Sequence, residues 1–299
     1  MLIASIVGLN IRSTVDMDAN INGYSITAET IEKMIQNIID IDLNDNVVLK
    51  ITHIEEIREE AEYEGFRISI EAEFDTIKQI LKVDMTTGEH ITPKEINYNF
   101  QLMFEDRKIC VKAYNIETIL AEKLEAIISR STENTRMRDF YDVYILSKLQ
   151  RDNIDCTLLN EAITATARRR GTDHLLTETE KILERIGKSE IMKDFWKRYQ
   201  MKFIYAKGIE LVDIIKIVRI IYEKLNIIAE MTPLKERIKY FDKKHHFSLK
   251  EYDQDIKEEE DFQKWDDYLE WKAYVEKLKA LELRLKEIDS AEEFTHKNL

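Results

Sequence analysis

The hydrophobic period of this chain changes once, at Asn115, and that change limits the folds open to it. Before Asn115, apolar and polar residues alternate in short runs: Val47 to Ile54, Phe66-Arg67-Ile68-Ser69-Ile70-Glu71-Ala72, Ile80 to Met85, Asn97 to Met103 and Lys108 to Tyr114. A period of two suits strands with one buried face. After Asn115 the apolar residues recur every three or four positions, as in Ile116, Ile119, Leu120, Leu124 and Ile127. Helical patterns continue through 139–149, 158–169, 177–186, 191–203 and 211–225. The class expected is therefore α+β, a mixed sheet with helices followed by an α-helical bundle. Only 7 Gly and 2 Pro in 299 residues agree with many helices and few long loops.

Within the sheet half, residues 1–10 read as a short buried helix and 13–22 as the first strand. Ile31, Met34, Ile35, Ile38 and Ile39 form one helical stripe. Thr27 can cap that helix, but Thr30 stands where a capping box carries Glu, so the box reads as incomplete. Thr232-Pro233 is expected to break the chain. Beyond it, residues 234–289 are charge-rich and helical. Their stripe of Phe262, Trp265, Leu269, Trp271 and Tyr274 is expected to pack on the bundle, with Leu278, Leu281 and Leu285 continuing it. The expected division is 1–114, 115–230 and 231–299.

A net charge of −13 excludes nucleic-acid binding through bulk charge; any such contact needs a local basic patch. Cys110 and Cys156 match no metal spacing and read as core thiols of a reducing cytosol. No apolar run approaches the ~18 residues of a membrane span. The apolar N-terminus lacks the basic region of a secretory signal. The expected location is cytoplasmic, with no membrane partner.

Asp16 and Asp18 flank Met17 in Ser13-Thr14-Val15-Asp16-Met17-Asp18. In a strand the two carboxylates share one face, with Val15 and Met17 turned to the core. Paired carboxylates with substrate phosphates are the usual holder of Mg²⁺; the plain alternative is a solvated strand edge or an Asx-turn. A third acid, Asp84, lies in Val83-Asp84-Met85. Lys123 interrupts an apolar helical stripe, either as a snorkelling lysine or as a cation aimed at a phosphate. Asp139 and Asp142 are three apart on a helix and share a face, and Asp139 could equally serve as a plain N-cap or helix-dipole partner. Arg130, Arg136 and Arg138 crowd the same region, as phosphate ligands or as ion-pair partners. Arg168-Arg169-Arg170 is either a solvated helix end or an RNA contact. His245-His246 reads as surface. The chain has no P-loop, dinucleotide-binding, zincin or nucleophile-elbow motif.

Four of these stretches together resemble the AbiEii/AbiGii toxin family of nucleotidyltransferases. They are Arg12 to Asp18, Lys82-Val83-Asp84-Met85-Thr86-Thr87-Gly88-Glu89, Leu120-Ala121-Glu122-Lys123-Leu124-Glu125-Ala126, and Arg136-Met137-Arg138-Asp139-Phe140-Tyr141-Asp142. The resemblance covers about residues 1–225. It implies a polymerase-β-like nucleotidyltransferase domain followed by a helical domain. It also implies transfer of a nucleoside monophosphate from an NTP to an acceptor, RNA such as tRNA in some members. Asp16, Asp18 and Asp84 match the metal-binding carboxylates, for Mg²⁺ of the two-metal type. Lys123 matches a lysine at the nucleotide phosphates, and Asp139 and Asp142 match acids needed for activity. Ser13, Thr14, Arg136 and Arg138 complete the implied nucleotide site. The setting implied is a toxin–antitoxin or abortive-infection system acting in phage defence, with a cognate antitoxin as partner.

One departure from the family is visible. Its members carry a Gly-Gly or Gly-Ser pair just before the helix that leads to the Asp-x-Asp strand. Here Met1-Leu2-Ile3 stands at that place and Gly8 comes too late to substitute. The alternative expectation is thus an N-terminally short, catalytically inactive remnant of the fold, kept as a binding or regulatory protein.

Overall fold

The computed structural model describes residues 2–8, 11, 16–21, 27–57, 65–87, 91–102, 106–246, 248–255 and 262–297. Helix α1 (Leu2–Val7) precedes strand β1 (Asp16–Ile21) and helix α2 (Ala28–Ile39). Strands β2 (Val48–Ile57), β3 (Gly65–Phe74) and β4 (Ile77–Thr87) follow, and with β1 they form a sheet in the order β1-β4-β3-β2. β1 runs parallel to β4; β3 is antiparallel to both its neighbours. A separate ribbon pairs β5 (Ile96–Gln101) with β6 (Lys108–Ala113).

The alternation in β3 and β4 gives this sheet two unlike faces. Phe66, Ile68 and Ile70 line up with Val83 and Met85 and bury themselves against Ile31 and Ile35 of α2. The opposite face carries Arg67, Ser69, Lys82, Asp84 and Asp18, none of them buried. β1 is an edge strand, so Met17, expected in the core, is 42% exposed. The box at the start of α2 is complete after all. The Thr27 hydroxyl accepts from the Thr30 N–H at 3.2 Å, and the Thr30 hydroxyl accepts from the Thr27 N–H at 2.8 Å, doing what a Glu side chain usually does.

Asn115 is also the structural junction. Its Oδ1 caps helix α3 (Ile116–Arg130) by accepting from the Thr118 N–H at 2.7 Å. Its Nδ2 donates to the Thr92 and Lys94 carbonyls at 2.7 and 3.2 Å, which ties the helix to the loop before β5. Helices α4 (Met137–Leu149), α5 (Cys156–Arg169), α6 (Thr179–Lys188), α7 (Glu190–Lys202) and α8 (Leu211–His245) complete the bundle. Its core holds Leu120, Leu124, Ile127, Phe140, Leu146 and Trp196. α1 joins this core through Ile3 and Val7, although it precedes the sheet in sequence.

Three expectations are corrected here. α8 runs through Pro233 without a break, so the boundary expected at 230/231 falls inside one helix. Met231 and Leu234 on either side of the proline are buried, and packing outweighs the ~3 kcal/mol a helix-interior proline costs. The Thr232 hydroxyl bonds back to the Ile228 carbonyl at 3.0 Å. The His pair is not all surface. His245 sits against Phe241, Tyr252 and Trp271, its Nε2 3.0 Å from Asp267. Cys110 is exposed and Cys156 half-buried, so neither is a core thiol.

Helices α9 (Leu249–Asp255) and α10 (Phe262–Lys297) close the chain. α10 packs along α8. The face it buries is Tyr268 and Trp271, whereas Phe262 and Leu269 of the expected stripe are exposed. Its far end is tied to the bundle: Asp289 pairs with Lys224 at 2.7 Å and Arg284 with Glu223 at 2.8 Å. Among the described residues no helix is long and apolar enough to cross a membrane.

Candidate active site

Two groups of polar side chains come together, one on the bundle and one on the open sheet face. In the bundle, Lys123 projects from the middle of α3 towards α4. Its ammonium lies 2.6 Å from Asp139 Oδ1 and 3.7 Å from Asp142 Oδ2. Asp142 is fully buried, Asp139 nearly so, and the Lys123 side chain is a quarter exposed. The lysine therefore neither simply snorkels nor stands apart, and Asp139 is no cap, since α4 begins two residues earlier. Buried ion pairs of this kind give up solvation that their attraction scarcely recovers, so they are a poor choice for stability alone. They are common where a charge must be held ready.

The α3–α4 connection is fixed by Asn134, which is fully buried. It donates to the Ala126 carbonyl at 3.1 Å and accepts from the Arg136 N–H at 2.8 Å. This places exposed Arg136 and half-buried Arg138 at the start of α4, on either side of Met137 and just ahead of Asp139. The Tyr199 phenol nearby is held protonated well beyond its ordinary range, first by burial and then by its 3.2 Å hydrogen bond to Tyr205. Asp142 adds to that shift and Arg138 opposes it, so both charges act at this spot.

On the sheet, the parallel register sets Asp18 opposite Asp84 and Asp16 opposite Lys82. Asp18 is exposed. Arg67 of β3 lies opposite Asp84 on the other side and grips it with both arms: Nε donates to Oδ1 at 2.8 Å and Nη2 to Oδ2 at 2.7 Å. Carboxylate oxygens on neighbouring strands suit a hard cation such as Mg²⁺. Asp18 fits that role; Asp84, as held here, has both oxygens engaged by Arg67. Among the described residues no three acidic, His or Cys side chains converge as a cation site. Ser13 and Thr14 lie outside the described residues.

The two groups are linked by Tyr141, which lies between Asp139 and Asp142 in sequence. Its hydroxyl donates to the Ile11 carbonyl at 2.6 Å, five residues before Asp16. α1 packs on α4 beside it. The chain that leads into the Asp-x-Asp strand is thus anchored on the helix that carries Asp139 and Asp142. Arg67, Tyr141 and Asn134 were not singled out from the sequence. Arg67 sits in a plain alternating strand, and only the register with Asp84 gives it meaning. Of the basic run at 168–170, Arg170 pairs with buried Glu125 of α3, which also accepts from the Thr172 hydroxyl at 2.8 Å.

The sequence profile of a family described as nucleotidyl transferase AbiEii toxin, type IV toxin–antitoxin system, matches residues 1–216. Two solved structures are similar. One is a presumed nucleotidyltransferase from H. pylori, with 14% identity over 76% of this chain and 85% of that one and a TM-score of 0.41. The other is JHP933 from Helicobacter pylori, with 12% identity over 76% and 83% and a TM-score of 0.40. No curated protein matches the chain. The match over 216 of 299 residues takes in the Asp-x-Asp strand, Asp84, Lys123, Asp139 and Asp142, and the chain belongs to the AbiEii nucleotidyltransferase toxin family.

Proposed function

We propose that this chain transfers a nucleoside monophosphate from an NTP to an RNA acceptor, with tRNA the first candidate, in a Mg²⁺-dependent reaction in the cytoplasm, and that a cognate antitoxin restrains it. The observation that supports this best is the Lys123–Asp139–Asp142 cluster, tethered through Tyr141 to the chain entering the Asp-x-Asp strand. In the transfer an acceptor hydroxyl oxygen forms a bond to the α-phosphorus while the bond to pyrophosphate breaks. The protein's part is positioning and charge.

Asp16 and Asp18 would hold the cation, with Asp84 as a third ligand. When bound, the cation supplies charge neutralisation at the α-phosphate and the leaving group. Lys123, kept in place by Asp139 and Asp142, offers its ammonium to the phosphates. Arg136 and Arg138 at the start of α4 add further positive charge, and Ser13 and Thr14 are assigned to the nucleotide side. A local cluster is what a chain of net charge −13 needs in order to hold a polyanion.

The test is transfer of radiolabel from each α-labelled NTP to total tRNA with Mg²⁺, comparing the parent with Asp18→Ala. Label with the parent that disappears in the variant is the expected result, with folding unchanged by circular dichroism. Absence of label from the parent with every NTP and with total cellular RNA would refute the reading.

A further inference from the structure

Asp84 stands between two partners of opposite kind. Across the parallel β1–β4 register it faces Asp18, and across the antiparallel β3–β4 register it faces Arg67. The three form one row on the sheet face left open by α2. Both Asp84 oxygens are taken by the Arg67 fork, at 2.8 and 2.7 Å, while the Arg67 side chain remains 38% exposed. A bidentate guanidinium takes one lone pair on each carboxylate oxygen and fixes a positive charge beside them, where a divalent cation would repel it. On Asp84 the guanidinium and the cation therefore compete.

We propose that Arg67 gates the cation site: it occupies Asp84 until an anionic phosphate draws it away. This rests on the transfer reading above. The guanidinium suits the exchange. It is planar, permanently charged and weakly hydrated, and it forks onto phosphate as readily as onto carboxylate. Its exposure leaves it within reach of a ligand on the open face. A nucleoside triphosphate arriving beside Asp18 offers Arg67 a more highly charged acceptor, and the departure of Arg67 gives Asp84 back to the cation. Nucleotide and cation then favour each other's binding, because a single side chain couples the two sites. Arg67 acts on the cation through Asp84 and on the nucleotide by direct contact with its phosphates.

The gate predicts effects of opposite sign that a simple brace does not. Mn²⁺ affinity of the nucleotide-free full chain, measured by electron paramagnetic resonance, should rise about tenfold in Arg67→Gln, the scale of one charge-assisted contact. Arg67→Gln with Asp84→Asn should return it to the parent's value or below. In EDTA, affinity for α,β-methylene NTPs should fall several-fold in Arg67→Gln and rise in Asp84→Asn, where the guanidinium is released. Arg67→Lys, which keeps the charge and loses the fork, should lie between. Equal Mn²⁺ affinity in the parent and Arg67→Gln would overturn the gate and leave the cation site standing. No Mn²⁺ bound by either would overturn both. If Arg67→Gln fails to fold by circular dichroism, the Asp84→Asn measurement decides: unchanged metal-free nucleotide affinity refutes the gate.

Discussion

Lys123 is the side chain whose environment makes the strongest demands. It holds two carboxylates that are almost wholly out of water, so removing it leaves them without the ammonium that offsets their burial. Lys123→Met should lose about 3 kcal/mol of stability in urea denaturation, the scale of breaking a buried pair. Adding Asp142→Asn to it should recover a large part of that loss, because a neutral amide costs far less to bury than a carboxylate that has lost the ammonium. Transfer activity should stay absent in both. A double variant as active as the parent would mean that the lysine is structural, and a single variant as stable as the parent would mean that water already pays the carboxylates' solvation. The same residue shows what sequence can and cannot convey. A lysine on an apolar stripe is conspicuous in one dimension. Its partners lie 16 and 19 positions on, in a different helix, and only packing selects them.

Among the elements, α4 does two jobs at once. One face presents Asp139 and Asp142 to Lys123; from between them Tyr141 reaches the chain before β1. Tyr141→Phe removes that one hydroxyl while keeping the ring among Tyr199 and Tyr205. It should cost about 1 kcal/mol of global stability. It should also speed hydrogen exchange across Asp16–Ile21 and lower transfer about tenfold, with nucleotide affinity little changed. Unaltered exchange in β1 would show that the anchor does not govern the strand. The period change at Asn115 was legible because burial writes itself into a repeat: most strands and helices lie within a few residues of their expected ends, while α8 runs on to His245, well past the expected 225. Pro233 misled because helix propensity is a local cost, and buried Met231 and Leu234 outweigh it from outside the local window. α10 was read as a helix with its inward face partly right: Trp271 and Tyr274 of the expected stripe lie in the aromatic core, whereas Phe262 and Leu269 are exposed. Phe262, Trp265 and Leu269 form as good a stripe as Tyr268 and Trp271, and the choice between them is made by Phe241 on α8. Arg67 was invisible for the same reason, since a strand's register is a property of two strands.

At the scale of the molecule, three cores are distinct: the sheet with α2, the bundle with α1, and the aromatic cluster of Phe241, Tyr252, Tyr268 and Trp271. The family match ends at residue 216, early in α8, so the third core lies wholly outside it. Because α8 is continuous, that core is an extension of a bundle helix, and the ion pairs at Asp289 and Arg284 fold it back along the bundle. Trp271 is its centre, fully buried and stacked on Phe241 and His245. Trp271→Ala should remove about 3–5 kcal/mol from this core, the usual loss for a large aromatic cut to a methyl group. The other two cores do not contain Trp271, so the loss should appear as a separate early step in thermal unfolding followed by far-ultraviolet circular dichroism. The bundle's own transition should stay at the parent's temperature, and transfer at a temperature below the early step should stay within about twofold of the parent, since additivity holds for sites that share no partners. A single transition shifted as a whole would show instead that the extension and the bundle unfold as one unit. Loss of transfer with the bundle intact would make the extension part of the acceptor's binding surface.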